Sequence, residues 1–130
     1  MRHLGEELAT FLIANGCGTA LGEDVFVDFL PNDPDTAIAI TEYGSRVATL
    51  GVEAAERRFQ VRVRSNDYDN ARALALKAHQ VLCDPIEPIK QIADREVIIQ
   101  SLANPTKLSL DETSRTTFVF NIYVVALHDY

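Results

Sequence analysis

A chain of 130 residues with 47% apolar and 24% charged side chains falls within the composition of one soluble globular domain. At that length folding hides roughly 65 to 68% of the unfolded surface, so a core needs neither disulfides nor a structural metal. Twelve basic against nineteen acidic residues leave a net charge of −7, which excludes an avid grip on the outside of nucleic acid or on an anionic membrane.

The charge is unevenly placed. Residues 1 to 50 hold eight acids but only two bases, Arg2 and Arg46, whereas residues 51 to 100 hold eight of each. Such asymmetry in a small domain implies surfaces of different sign offered to different neighbours. Met1-Arg2-His3-Leu4 runs straight into Gly5-Glu6-Glu7, too broken for a secretory signal. The longest apolar run, Phe118 to Leu127, is ten residues including Asn121, well short of the ~20 that a membrane helix needs. A cytosolic chain with no membrane span is the expectation, and Cys17 and Cys83, which have no metal-type spacing, are expected to be reduced thiols.

Leu4, Leu8, Phe11 and Leu12 share one helix face, and Asn15-Gly16 ends that helix near Ala14. Val25 to Leu30 has strand composition and is closed by the turn residues Pro31-Asn32-Asp33-Pro34. Thr36 to Thr41 is expected as a second strand, antiparallel to the first. From Glu42 to Glu56 no period persists, which predicts a long loop near residues 43–57. Phe59, Val61 and Val63 alternate with Gln60, Arg62 and Arg64, a strand with one buried and one cationic face.

Asn66 is placed to cap a helix over Asp67 to Cys83, with Tyr68, Ala71, Ala75, Ala78 and Leu82 as its stripe. Pro85 and Pro88 predict an irregular link before a strand over Glu96 to Leu102, and Asn104-Pro105 should break that strand. Leu108 and Leu110 precede a polar turn over Asp111 to Arg115. The last strand, Thr116 to Leu127, is apolar on both faces for most of its length, as a central strand is. The order reads as α+β: a mostly antiparallel sheet of four to six strands with two main helices.

No constellation has the spacing of a catalytic or metal site. His3, His79 and His128 lack a second ligand at i+3 or i+4. Gly16-Cys17-Gly18 follows a helix, whereas a dinucleotide fingerprint follows a strand. The acid pairs Asp33/Asp35, Asp67/Asp69 and Asp111/Glu112 have the composition of turns and helix starts. Arg57, Arg58, Arg62 and Arg64 form the densest basic cluster; it reads as a solvated face or as an ion-pair surface for the acidic half of an identical chain.

Three stretches carry a family resemblance. Phe29-Leu30-Pro31-Asn32-Asp33-Pro34-Asp35 is followed by Ala37-Ile38-Ala39-Ile40 and Glu42-Tyr43-Gly44; then come Val61-Arg62-Val63-Arg64-Ser65 with Asp67-Tyr68, Ala71 and Ala75; the third has Gln100-Ser101, Pro105, Leu108, Asp111-Glu112, Arg115 and Phe118 to Asn121. In order and texture they resemble the minor capsid or tail terminator proteins of long-tailed bacteriophages and prophages. Members often carry Asn-Gly where this chain has Thr113-Ser114.

The resemblance implies one terminator-like domain over residues 1–130 that forms a ring, typically of six copies, on the head-proximal end of the tail tube. The ring would halt tube growth, meet the head connector or completion protein, and let DNA pass as a non-specific passenger. No enzyme activity, cofactor, metal or membrane partner is implied, and the place is the virion tail or neck, assembled in the host cytoplasm. Arg57, Arg58, Arg62 and Arg64 become candidates for the subunit interface. Tyr43, Arg46, Leu50, Val52 and Glu53 become candidates for a docking loop. Glu23, Asp24, Asp33 and Asp35 become candidates for an acidic lumen or interface, since carboxylates repel phosphate and let DNA slide. A head-completion adaptor, or a small cytosolic ligand-binding domain or enzyme using the acid pairs, are the alternatives.

Overall fold

The structure is a computed structural model that describes residues 4–46, 54–87, 89–93, 95–108 and 115–127. Helix α1 (Leu4–Ala14) is followed by strands β1 (Val25–Val27), β2 (Ala37–Arg46) and β3 (Ala54–Ser65), helix α2 (Tyr68–Leu82), and strands β4 (Ile89–Ile92), β5 (Arg95–Lys107) and β6 (Thr116–Leu127). The six strands form one sheet in the order β1-β2-β3-β6-β5-β4. Every pairing is antiparallel except β1 with β2, so the α+β expectation with a mostly antiparallel sheet holds.

Leu4, Leu8 and Leu12 of α1 are buried at successive turns. The helix stops where expected. Gly16, at φ 85°, donates to the Ile13 carbonyl at 3.1 Å and Cys17 donates to the Leu12 carbonyl at 2.8 Å, the paired closure of a Schellman motif. Helix α2 turns Ala71, Ala75, Ala78 and Leu82 inward, and the small alanines let its backbone lie close on the sheet. Asp67 rather than Asn66 is its N-cap, and it makes no side-chain cap bond.

Both helices lie on one face of the sheet. Helix α2 packs on β3, β6 and β5, while α1 touches β1 and β2 at one edge and β4 at the other, so the curled sheet brings both its edges to the same helix. The core is the layer between: Phe59, Val61 and Val63 from β3, Phe120, Ile122 and Val124 from β6, Ile38 and Ile40 from β2, and Val97 and Ile99 from β5.

Four expectations are corrected. Strand β1 is shorter than Val25 to Leu30 and runs parallel to β2, with Val25 opposite Ile38. The chain leaves β1 through Asp28, whose left-handed φ of 77° turns it aside, and returns past a cis Asp33–Pro34 bond to enter β2 from the same end. Much of the supposed loop is strand: β2 continues to Arg46 and β3 starts at Ala54, with a bulge between Glu42 and Gly44 that scrambles the two-residue period. Pro105 does not end β5, because it falls between the pairs Ala103–Asn121 and Thr106–Val119, where the register slips. A residue without an N–H is tolerated at such a bulge. Finally, β4 replaces part of the irregular link; four residues with only Ile92 buried are too few to show a period. The expected turn over residues 111–114 lies outside the described residues.

Candidate assembly surfaces

The alternation in β3 and β6 that sends apolar residues to the helices sends Arg58, Gln60, Arg62 and Arg64, with Val119, Asn121, Tyr123 and Val125, to the opposite face. Among the described residues no helix covers this open face. Thr41, Gln60 and Asn121 stand abreast on β2, β3 and β6, and Arg62 reaches back to the Thr41 hydroxyl at 3.4 Å. Arg58 is exposed, and Arg62 is half-buried. The Arg62 Nε and the Asn121 Oδ1 are buried atoms with no hydrogen-bond partner among the described residues. One is a donor and the other an acceptor, on neighbouring strands, and a buried polar atom left unpaired is costly.

Arg64 belongs elsewhere, and the expectation of an exposed Arg62/Arg64 pair is corrected. It is only 4% exposed, and its guanidinium donates to the carbonyls of Asp35 at 3.2 Å and Pro34 at 2.6 Å. Arg115, just ahead of β6, holds the same segment: it donates to the Asn32 carbonyl and, at 2.9 Å, to the Asn32 Oδ1, and lies 3.6 Å from the Asp35 carboxylate. Two buried arginines thus fasten the return loop by its carbonyls. Arg57 lies 3.6 Å from Glu42 across β2 and β3.

The acidic candidates divide. The Asp24 carboxylate accepts from the Thr19 and Ala20 backbone N–H groups at 3.0 and 3.1 Å and from the Thr19 hydroxyl at 3.0 Å. Burial would raise its pKa, but these donors together outweigh burial and hold it below the ordinary value. Asp24 is therefore a turn-builder. Glu23, Asp33 and Asp35 are exposed. Of the docking-loop candidates, Tyr43 is 53% exposed on β2 and Arg46 is that strand's last residue, while Leu50, Val52 and Glu53 lie outside the described residues.

Sequence reasoning missed three contributors. Arg115 reads locally as a turn residue, and nothing nearby in sequence signals a partner 83 residues away. Asn121 reads as an interruption in an apolar strand, although an amide there is itself a sign that one face is not core. Phe29 reads as strand, whereas in the fold it is 61% exposed and packs on Phe26 at 6.0 Å between centroids.

Away from the sheet face, a hollow of about 340 Å³ beside α1 and the end of α2 holds Lys77, Asp84, Glu87 and Lys90, with Lys77 tied to the Gly16 carbonyl and Lys90 to the Glu87 carbonyl. Burial pushes the Cys83 thiol up to about 11 and raises that of Cys17, so neither is an activated nucleophile. His79 is held below its ordinary value by burial, with Ser101 Oγ 2.8 Å from its Nε2 and Phe120 edge-on to its ring. Among the described residues no three His, Cys, Asp or Glu side chains cluster as metal ligands, and no helix is long and apolar enough to cross a membrane.

The sequence profile of a family described as bacteriophage tail terminator protein matches residues 11–127, from within α1 to the end of β6. The chain belongs to that tail terminator family. It is thereby a structural protein of the phage head–tail region, and its family is not an enzyme class. Such a protein works in contact with other tail and head proteins of the virion. A chain from the solved virion of a native gene transfer agent particle shares the terminator's fold, with a TM-score of 0.55 at 14% identity over 92% of this chain and 84% of that one. No curated protein sequence matches the chain.

Proposed function

We propose that this terminator closes into a ring, typically of six copies, on the head-proximal end of the tail tube, stops tube growth there, and offers the head connector a surface while DNA passes through the lumen. The family match over residues 11–127 carries the reading. Two features support it. A net charge of −7 suits a ring around DNA, because a wall of carboxylates repels phosphate and keeps the passage free, where a basic wall would hold it. The fold also has an arginine-bearing sheet face that no helix covers among the described residues and, on different elements, an acidic segment, so one copy's patch can meet the other patch of its neighbour. Contacts of that head-to-tail kind generate rings when the rotation closes.

Arg57, Arg58 and Arg62 remain the proposed subunit contacts, and Glu23, Asp33 and Asp35 the proposed acidic surface. Tyr43 and Arg46, at the far end of β2, are proposed to meet the tube or connector. Two measurements test the reading. Native mass of the purified protein against concentration is expected to show a discrete ring. In the phage or prophage that encodes it, a null allele is expected to give overlong tubes and unjoined heads, and tubes of normal length in that background would sink the proposal.

A further inference from the structure

The acidic patch and the arginine face have matching chemistry. Residues 20 to 35 contain five acids and no lysine or arginine. Within that stretch the backbone is shaped and fastened: Asp28 sits at φ 77°, its N–H donates to the Ile40 carbonyl at 2.8 Å, and Arg64 and Arg115 hold the carbonyls of Asn32, Pro34 and Asp35. A non-glycine residue in left-handed backbone persists only where its surroundings over-determine it. What this bend presents is Phe29, 61% exposed, flanked by Asp28 and with Asp33 beyond it. An exposed aromatic on a fastened, acidic bend is a knob.

The open face is its counterpart. Val119, Tyr123 and Val125 give β6 a half-exposed apolar strip, and Arg58 and Arg62 of β3 stand beside it, Arg58 opposite Tyr123 and Arg62 opposite Val119. An arginine beside an apolar strip suits an aromatic ring that carries carboxylates, through stacking, cation–π attraction and charge-assisted hydrogen bonds. Arg58 is exposed and Arg62 half-buried, so both cations border the strip, and a segment that carries an aromatic ring together with carboxylates matches the strip and the cations at once.

We propose that the Asp28–Phe29 bend of one copy docks on the Arg58/Arg62/Asn121 face of the next, and that this unlike pairing is the junction repeated around the ring. The inference rests on the ring reading of the preceding subsection and names its contact. Because knob and face are different patches, each copy gives one and receives one, as a closed ring requires.

The test uses two double variants of the full chain, each checked by circular dichroism and thermal melting for a wild-type fold. Arg58→Glu with Arg62→Glu kills the face; Asp28→Asn with Phe29→Ser blunts the knob. Native mass spectrometry is run on wild type, on each variant and on their equimolar mixture. Wild type is expected to give the ring and each variant alone monomer. The mixture is expected to give a one-to-one pair that grows no further, because only one sound junction can form in it. A wild-type ring with either folded variant still forming rings overturns the docking pair and leaves the ring standing. Wild type that is monomeric at every concentration, alone and with tail tubes, overturns the ring reading itself.

Discussion

Along β3 and β6 the same backbone carries two unlike surfaces. On the helix side Phe59, Val61, Val63, Phe120, Ile122 and Val124 are fully buried, whereas one residue along in either direction Gln60, Arg62, Val119, Asn121 and Tyr123 keep half-exposed side chains. Both sets come from the two-residue period of a strand, so neither propensity nor chain position separates them. Coverage does. The helices remove one set from water and turn it into folding free energy; the other set keeps charged and apolar groups at the surface, features that fit meeting a partner.

Substitutions on the two sides should therefore fail in different ways. The largest effect is expected from Phe120→Ala, which empties the site between α2 and the sheet and should cost about 3–5 kcal/mol in urea unfolding. A loss below about 1 kcal/mol would mean that the helix side does not carry the stability. A sharper contrast lies within β3, between two arginines two residues apart. Arg64→Met should cost about 2 kcal/mol, because it strands the carbonyls of the 32–35 segment. Arg62→Met, which removes an unpaired buried donor, should move stability by less than about 0.5 kcal/mol while weakening self-association. Equal costs for the two would erase the distinction between a clamp and a docking residue.

A smaller effect is expected from pH. Burial keeps His79 below its ordinary value of 6.5, so the unfolded chain takes up that proton more readily than the folded one. Stability should be full above pH 6.5 and fall as pH drops from there through the depressed folded value, and His79→Gln should flatten that slope in chemical melts. Asp24, whose folded value lies below the ordinary 3.8, contributes stability that is lost only in a more acid window. The smallest effect is chemical: with its thiol pushed up to about 11, Cys83 should be alkylated slowly near neutral pH in the folded chain and far faster after unfolding. Fast alkylation of the native protein would show that this end of α2 opens readily.

What could be read from the sequence was whatever repeats locally. The stripe Leu4–Leu8–Leu12, the alanine stripe of α2, the alternation of β3 and the long run of β6 each state an element and its inward face, because helical and strand periods put every second or every third to fourth residue against the core. The family resemblance drawn from three stretches agrees with the profile match over residues 11–127. Elements went unread where a local device hides the period: the bulge at Glu42, the slips around Pro105 and the brevity of β4.

Only the tertiary structure decided the rest. That β1 runs parallel to β2 depends on a left-handed Asp28 and on arginines drawn from β3 and from the lead-in to β6. That Arg62 and Arg64, alike in the alternation, have opposite fates depends on which of them the return loop passes over. Composition and period act between neighbours in sequence, whereas a carbonyl clamp from residue 115 to residue 32 exists only once the sheet has brought those ends together.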